Sequence, residues 1–486
     1  MTELSAARTS PSRVAFSLIG ALALIELTSG IIQGYYVPMV TEITRHLGMS
    51  NPNDFNWFEA SQLLLSAIAV PILARLGDTW GHKRVLLLAT AVTALASWGM
   101  AFSDNFVMFL IAFALQGFYV VWLPLEVALI MDRGRRSGHG AAQSRRAAGY
   151  LVVALEFGAI LGALGGAAIL GSTSENMRVT LLVPAVVVTA CFFVVLFLVK
   201  PSERVPGQRV DVLGFGILAL ALLCITSSLS FFRVSGFGAW WGWLDLAIGL
   251  ALIVPFVLQS RASDDPAIDL ATLARPSMWP VQLAALLGGV SLLGAQIPLS
   301  TYAAADPAVK GFGLGLSSAV ISYLVGGYLI SLMLGAILLP IVSARTTPRT
   351  AMIGAATLNG IGYLMFLPLH GTTLGLITSL CIAGIGCGAM VAALPSAAAA
   401  AAPLGQSGIA TGLTNTAKTV GGALASAVFA ILLHTEGVGG ATIDGYLAVW
   451  TVCGVTALAA AGVLFAAPRG AYSDAEVDAP PLVDRV

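Results

Sequence analysis

Between two apolar runs at 55–76 and 85–102 the chain reads Arg75-Leu76-Gly77-Asp78-Thr79-Trp80-Gly81-His82-Lys83-Arg84. Polar residues are crowded into this one short stretch, with long apolar segments on either side. That is the pattern of a tight turn between two helices lying in lipid, where each backbone N–H and C=O must be satisfied within its own helix. Gly77 and Gly81 permit a sharp turn. Asp78 reads as the residue just before the next helix, where free N–H groups and the helix dipole favour a carboxylate. Arg75, Lys83 and Arg84 put the turn on the cytoplasmic side, because short cytoplasmic loops hold the excess of Lys and Arg. Gly77, Asp78, Gly81, Lys83 and Arg84 form a candidate conformational-switch loop.

The rest of the chain repeats the pattern. Of 486 residues, 57% are hydrophobic and 10% charged, where a soluble domain carries roughly 25% charged residues, and the mean hydropathy is +0.89. Apolar runs of spanning length fall at 14–40, 55–76, 85–102, 106–131, 147–170, 179–199, 212–231, 243–259, 281–301, 317–341, 350–367, 373–402, 409–433 and 446–467. The chain therefore predicts an all-α integral membrane protein of about fourteen transmembrane helices with no room for a large soluble domain. Formal net charge is zero, so no general field draws nucleic acid. Cys191, Cys224, Cys381, Cys387 and Cys453 lie inside apolar runs, and the five histidines are scattered, mostly in loops. No metal site, cofactor or clustered catalytic set is expected, and no Gly-rich Lys-Ser/Thr loop offers to bind nucleotide. These absences argue against an enzyme.

An even number of spans puts both ends on one side, and the basic residues agree. About nineteen of the 24 Lys and Arg residues fall on the side of the N-terminus; only Arg45, Arg178, Arg233 and Lys310 fall opposite, and Lys418 lies within a span. The N-terminal segment 1–13 and the tail 468–486 are thus expected in the cytoplasm. The tail, with Pro468, Asp474, Glu476, Asp478 and Asp484, is expected to be disordered. Trp57, Phe58, Trp240, Trp241 and Trp243 fall at the expected outer edges.

A fainter copy of the quoted turn occurs at Ser343-Ala344-Arg345-Thr346-Thr347-Pro348-Arg349, with Ala344 where the acid would fall. Weak internal repeats are typical of transporters whose two halves rock around a midplane site. The fifth run holds Gly149, Gly158, Gly162 and Gly166, the last three on one helix face, where small residues let a second helix approach closely. With these motifs the chain resembles the major facilitator superfamily, and specifically its fourteen-helix drug:proton antiporter branch. Leu76-Gly77-Asp78 to Arg84 is similar to that family's loop signature, with Ala74 in place of its first glycine. Gly149, Gly158 and Gly162 match the spacing of the helix-five antiporter signature, and Gln116-Gly117 matches part of the helix-four signature. Asp211-Val212-Leu213-Gly214, Asp265-Pro266 and Thr414-Asn415-Thr416-Ala417-Lys418 are similar to segments of the fourteen-helix branch. The resemblance covers essentially the whole chain. It implies a monomer in the cell membrane with six-helix halves at 14–200 and 276–467, joined by a linker at 201–275 that carries two additional transmembrane helices. Three departures stand out. Phe113 occupies the place of an arginine tied in that family to proton coupling; Ala163 and Ala167 replace a proline and a glycine in helix five; and Ser29 stands where a helix-one acid is expected, with Glu26 one turn earlier on nearly the same face.

Four ionisable residues sit well inside spans: Glu26, Glu126, Glu156 and Lys418. Each costs roughly 2.5–3.5 kcal/mol at a helix centre, which makes them the proton-coupling candidates. Counted from the cytoplasmic helix starts, Glu26, Glu156 and Lys418 lie roughly 15–20 Å deep, at the midplane. Glu156 precedes Gly158 much as Lys418 precedes Gly421, which makes the two charges quasi-equivalent in the repeat. Glu59 reads as an interfacial residue near an outer helix end. Gln33, Tyr36, Gln116, Tyr119 and Trp122 are the substrate-pocket candidates. Taken with the resemblance, these features imply a secondary active exporter of a small organic compound, drug or antibiotic-like, working by proton antiport with alternating access. Phe113 keeps a metabolite uniporter or proton symporter of the same fold open as the alternative.

Overall fold

The computed structural model describes residues 12–49, 55–136, 141–173, 176–200, 211–236, 238–264, 266–294, 296–402, 407–433 and 441–472. Residues 1–11 of the N-terminal segment, linker residues 201–210, Asp265 and tail residues 473–486 lie outside them, so the readings made there stand as expectations. In chain order the helices are α1 (Ser12–Tyr35), α2 (Val40–His46), α3 (Asn56–Trp80), α4 (His82–Ala101), α5 (Phe106–Gln116), α6 (Trp122–Arg136), α7 (Ala141–Ser172), α8 (Met177–Leu198), α9 (Val212–Ser235) and α10 (Trp240–Ala262). They continue as α11 (Leu270–Leu273), α12 (Trp279–Gly294), α13 (Gln296–Ala304), α14 (Pro307–Lys310), α15 (Ser318–Arg345), α16 (Pro348–Leu369), α17 (Thr373–Ala401), α18 (Ser407–Leu432) and α19 (Ile443–Leu464). Among the described residues, eleven helical spans are long and apolar enough to cross a membrane. The fold is an all-helical membrane fold, and side-chain caps start its helices where the sequence leaves the apolar run. Asn105, Asn176, Asp211, Thr372 and Thr442 each accept a hydrogen bond from a first-turn N–H, worth about 1 kcal/mol apiece.

Among the described residues, two of the sequence runs are broken by a 3-10 segment. The first ends at Tyr35 and continues through a 3-10 turn, Val37–Met39, into α2. The fourth is interrupted by a 3-10 segment, Gly117–Val121, between α5 and α6. Around that break neighbouring side chains take up backbone carbonyls: Gln62 donates to the Phe113 carbonyl at 3.2 Å, Ser66 to that of Gly117 at 2.9 Å and Asn415 to that of Val120 at 2.9 Å. Gly117 allows it, since a Cβ there would lie 2.6 Å from the Ser66 hydroxyl.

The quoted turn differs from its sequence reading. Asp78 does not precede α4; it lies in the last turn of α3, and α4 is preceded by Gly81 at φ 96°, with no side-chain cap. One glycine in the left-handed region makes the whole connection, which leaves no room for a capping residue. Asp78 Oδ1 instead lies 3.3 Å from His82 Nε2, and Arg75, Asp78 and His82 are all buried. Lys83, one residue further on, donates to the Leu196 carbonyl at the end of α8 at 2.9 Å. The faint copy repeats this: Arg349, at the start of α16, donates to the Leu464 carbonyl at the end of α19 at 3.2 Å. A cation at the C-terminal end of a helix is favoured by the free carbonyls and the dipole there.

The helices form two bundles with matching internal packing. α1 packs most extensively on α7, and α12 on α18. In the first pair a Cβ on Gly158 would meet the Leu27 carbonyl, and one on Gly30 the Leu155 carbonyl. In the second, Gly421 faces the Leu286 carbonyl and Gly289 the Lys418 carbonyl in the same way. These contacts fix the register of the repeat: Gly158 corresponds to Gly421, Lys418 to Leu155, and Glu156 to Thr419. Glu156 and Lys418 are therefore neighbours one residue out of register, not equivalents. The bundles meet where α3 packs on α18 and α7 on α15.

α9 and α10 pack on each other, and α9 reaches α3 and α18. Asp211 ties this pair together, accepting from Gly214 N–H at 2.8 Å, Gln259 Nε2 at 3.2 Å and Ala267 N–H at 3.3 Å. That gives a physical reason for acid and glycine in Asp211-Val212-Leu213-Gly214. Along α10 the exposed residues before Arg261 of the last turn are apolar, Trp240, Trp241 and Trp243 among them. Beyond α19 the chain returns to the protein at Ala471 and Tyr472, whose hydroxyl donates to the Ser277 carbonyl at 2.6 Å. The expectation of disorder from residue 468 is corrected to that extent, because Ala471 and Tyr472 bury apolar surface.

Candidate functional site

A cavity of roughly 1280 Å³, its mouth included, lies between the two bundles. Glu26 and Ser29 of α1, Glu156 of α7, and Asn415, Lys418 and Thr419 of α18 supply its polar floor. Leu63, Leu292, Leu299, Val325, Leu329, Leu332 and Leu380 supply aliphatic walls, and Tyr328, Tyr363, Phe366 and Trp450 an aromatic one. The lining comes from mid-height and from the half of the helices away from the Asp78 turn. Towards Asp78 the bundles are pressed together, where a Cβ on Gly412 would lie 2.7 Å from the Ala74 Cβ.

The sequence placed Glu26, Glu156 and Lys418 at one depth, and they do share the cavity. Lys418 has Glu156, Cys387 and Glu26 as electrostatic neighbours. None of the three charged groups is in an ion pair within 4 Å among the described residues. The space between them is part of the cavity, open to a ligand or to water. Glu126 lies elsewhere. It is fully buried behind the cavity wall, beside Glu26 and Cys191, and no described residue hydrogen-bonds either carboxyl of the Glu26 and Glu126 pair with acceptable geometry.

The pocket candidates divide. Gln33 and Tyr119 line the cavity. Tyr36, Gln116 and Trp122 do not: Gln116 Nε2 donates to the Tyr36 hydroxyl at 2.8 Å and the Ser97 hydroxyl at 2.9 Å, and all three residues are buried inside the first bundle. Phe113 sits with them, edge-on to Tyr36 and Phe55, so an aromatic cluster fills the place where the family's arginine is expected. Of the helix-five glycines, Gly158, Gly162 and Gly166 face α1 backbone, whereas nothing lies within 4 Å of a Cβ on Gly149. Glu59 is not a simple interfacial residue. Ser426 of α18 lies 3.4 Å from its Oε2, bridging the two bundles at the end opposite Asp78. Sequence reasoning missed the aromatic wall entirely. Its four residues look like ordinary filler in apolar runs, and only the rotation of each helix about its axis brings them together.

Among the described residues no group of three His, Cys, Asp or Glu side chains is placed to hold a metal ion. An all-helical membrane fold enclosing a ligand-sized cavity between two matching bundles defines a multi-pass membrane transporter for a small molecule, not an enzyme. The Major Facilitator Superfamily model matches residues 22–304, and the chain belongs to that family. It is 26% identical to the triacylglyceride transporter of Mycobacteroides abscessus, covering 83% of this chain and 79% of that one. It is 28% identical to the puromycin resistance protein of Streptomyces alboniger, over 90% and 86%. To the probable actinorhodin transporter of Streptomyces coelicolor it is 24% identical, over 86% and 72%. Among solved structures, the human organic anion transporter MFSD10 shares the fold with a TM-score of 0.65 at 16% identity, covering 93% of this chain and 99% of that one.

Proposed function

We propose that the protein is a secondary active exporter of a small, drug or antibiotic-like organic compound, driven by proton antiport with alternating access. The observation that carries this reading is the convergence of Glu26, Glu156 and Lys418 on one cavity between the bundles without a direct ion pair. A carboxylate out of water is costly to keep charged, so it trades a proton when its surroundings change. Rocking of the bundles changes the distance from Lys418, on one bundle, to Glu26 and Glu156 on the other. Proton affinity then differs between the two states, which is the requirement for coupling. The reading includes the fourteen-helix antiporter architecture, with halves at 14–200 and 276–467 and the α9–α10 pair between them. It also includes a monomer in the cell membrane, both termini cytoplasmic, and Gly77, Asp78, Gly81, Lys83 and Arg84 acting as the switch loop. Relatives concerned with puromycin resistance and triacylglyceride transport support export of an organic compound.

Phe113, packed among aromatic rings where the family's arginine is expected, favours a second reading, a uniporter or proton symporter of a metabolite. Proteoliposomes separate the two. Antiport predicts that a pH gradient drives the substrate against the proton flow, and that a protonophore abolishes this. Symport predicts the same direction for both, and uniport predicts counterflow indifferent to the gradient.

A further inference from the structure

Val120 belongs to the 3-10 segment that interrupts the fourth apolar run. Four residues further on stands Pro124, in the place whose N–H would take the Val120 carbonyl if the helix were continuous. Proline has no N–H and its ring crowds the carbonyl four residues back, so the sequence itself breaks the helix and frees that carbonyl. A freed carbonyl inside a membrane span needs a donor. Here the donor comes from the other bundle: Asn415 Nδ2 of α18 reaches the Val120 carbonyl at 2.9 Å. The Phe113 and Gly117 carbonyls of the same break are taken instead by Gln62 and Ser66 of α3, within the first bundle. Asn415 and Val120 both line the cavity, so their bond lies where the bundles meet. Three residues before Asn415, and on nearly the same side of α18, Gly412 presses on Ala74 towards the Asp78 end. The adjacent Thr414 serves its own bundle, accepting from Gln282 Nε2 of α12 at 3.0 Å.

We propose that Asn415 is a positioning residue of the transport cycle: its bond to the Val120 carbonyl clasps the two bundles together in the state closed at the Asp78 end, and the bond must break for that end to open. The acceptor is backbone, so it cannot rotate to follow Asn415, and the bond forms in only one relative position of the bundles. When they part, the amide and the carbonyl both turn to the cavity, where water takes them up. The clasp then contributes the modest net worth of one hydrogen bond, enough to bias the two states without locking either. The proposal rests on the alternating-access part of the proposed function and is independent of what is carried and what drives it.

The test is thiol modification of the full-length protein in lipid nanodiscs, without substrate or gradient. The five native cysteines are replaced by alanine, and Ala74→Cys puts one thiol on the face buried towards the Asp78 end. With N-ethylmaleimide at concentrations where the rate is proportional to reagent, that rate reads the open population. Asn415→Ala should raise it about threefold to tenfold, the factor that one net hydrogen bond corresponds to. Asn415→Leu, which keeps the volume and removes the donor, should give the same rise and carries the test if the alanine variant does not fold. Thr414→Val removes a buried hydrogen bond within the second bundle and should leave the rate within about twofold of the parent, which separates unclasping from general loosening. Pro124→Ala returns an N–H to the Val120 carbonyl, and in that background Asn415→Ala should add less than about twofold, since the two act through one bond. An unchanged rate in the Asn415 variants, an equal rise in Thr414→Val, or an undiminished effect of Asn415→Ala beside Pro124→Ala would overturn the clasp. No modification in any folded variant, with full reaction after unfolding, would contradict alternating access itself, so the two failures are distinguishable.

Discussion

Replacing Gly158 with alanine probes the contact that holds the first bundle together. A Cβ at Gly158 would overlap the Leu27 carbonyl, so α1 and α7 must part by about 1 Å to reach the 3.0 Å that real contacts respect. The obstacle is backbone on both sides, which cannot rotate away. Overpacking of this kind costs typically 1–3 kcal/mol, against a gain of up to about 1 kcal/mol from alanine's better helix propensity. Gly149, on the same helix, has nothing within 4 Å, so Gly149→Ala collects the gain without the cost. The two variants should therefore differ by about 1–3 kcal/mol, in opposite directions from wild type. Thermal unfolding of the detergent-purified protein, followed by loss of the monodisperse peak on size exclusion, reads this out as a separation of a few degrees. Gly421→Ala should behave as Gly158→Ala does, because Gly421 meets the Leu286 carbonyl in the matching place of the second bundle. Gly158→Ala and Gly149→Ala melting together would refute the close-packing argument, and Gly421→Ala melting with Gly149→Ala would refute the register of the repeat.

Further outcomes are expected at other positions. Asp78→Asn, which weakens the Asp78–His82 contact, should slow transport several-fold while leaving expression and substrate affinity near wild type; joint loss of expression and transport would show a purely structural residue. Lys83→Ala and Arg349→Ala should each lower stability by about 1 kcal/mol, since each removes a cation from the end of a helix of its own bundle; a change in only one would argue against the paired roles. Tags at the N-terminus, the C-terminus and the loop containing Arg135 should report from the cytoplasm and one near Gly236 from outside, and one reversed tag would undo the proposed span count.

Much of the architecture was legible because lipid leaves few alternatives: a run of twenty apolar residues has to be a helix. Depth was legible too. Counting residues from the helix starts placed Glu26, Glu156 and Lys418 together, and they share one cavity. Rotation about the helix axis was not legible. In a helix apolar all round, nothing in the periodicity separates the face towards the cavity from the face towards lipid or a neighbour. Tyr36, Gln116 and Trp122 were therefore read as pocket residues although they pack inside the first bundle, and Tyr328 and Trp450 passed as filler. Glu156 lies two residues before Gly158 and Lys418 three before Gly421, so spacing alone suggests an equivalence that the carbonyl facing each glycine replaces with a one-residue offset. Asp78 was misplaced for a related reason: a turn made by a single glycine leaves less polar sequence than a capped helix start requires.

The central claim is that the carboxyls facing Lys418 carry the proton. Proteoliposomes holding wild type, Glu26→Gln, Glu156→Gln or the double variant should be given a pH gradient, and substrate flux and proton flux measured together. Coupled flux should fall at least tenfold in one single variant and in the double variant, with gradient-independent counterflow retained, and Lys418→Ala should shift the pH profile of wild-type exchange. If both single variants and the double variant keep pH-driven transport at wild-type rates, Glu26 and Glu156 are structural, and the proposed coupling at this cavity is contradicted.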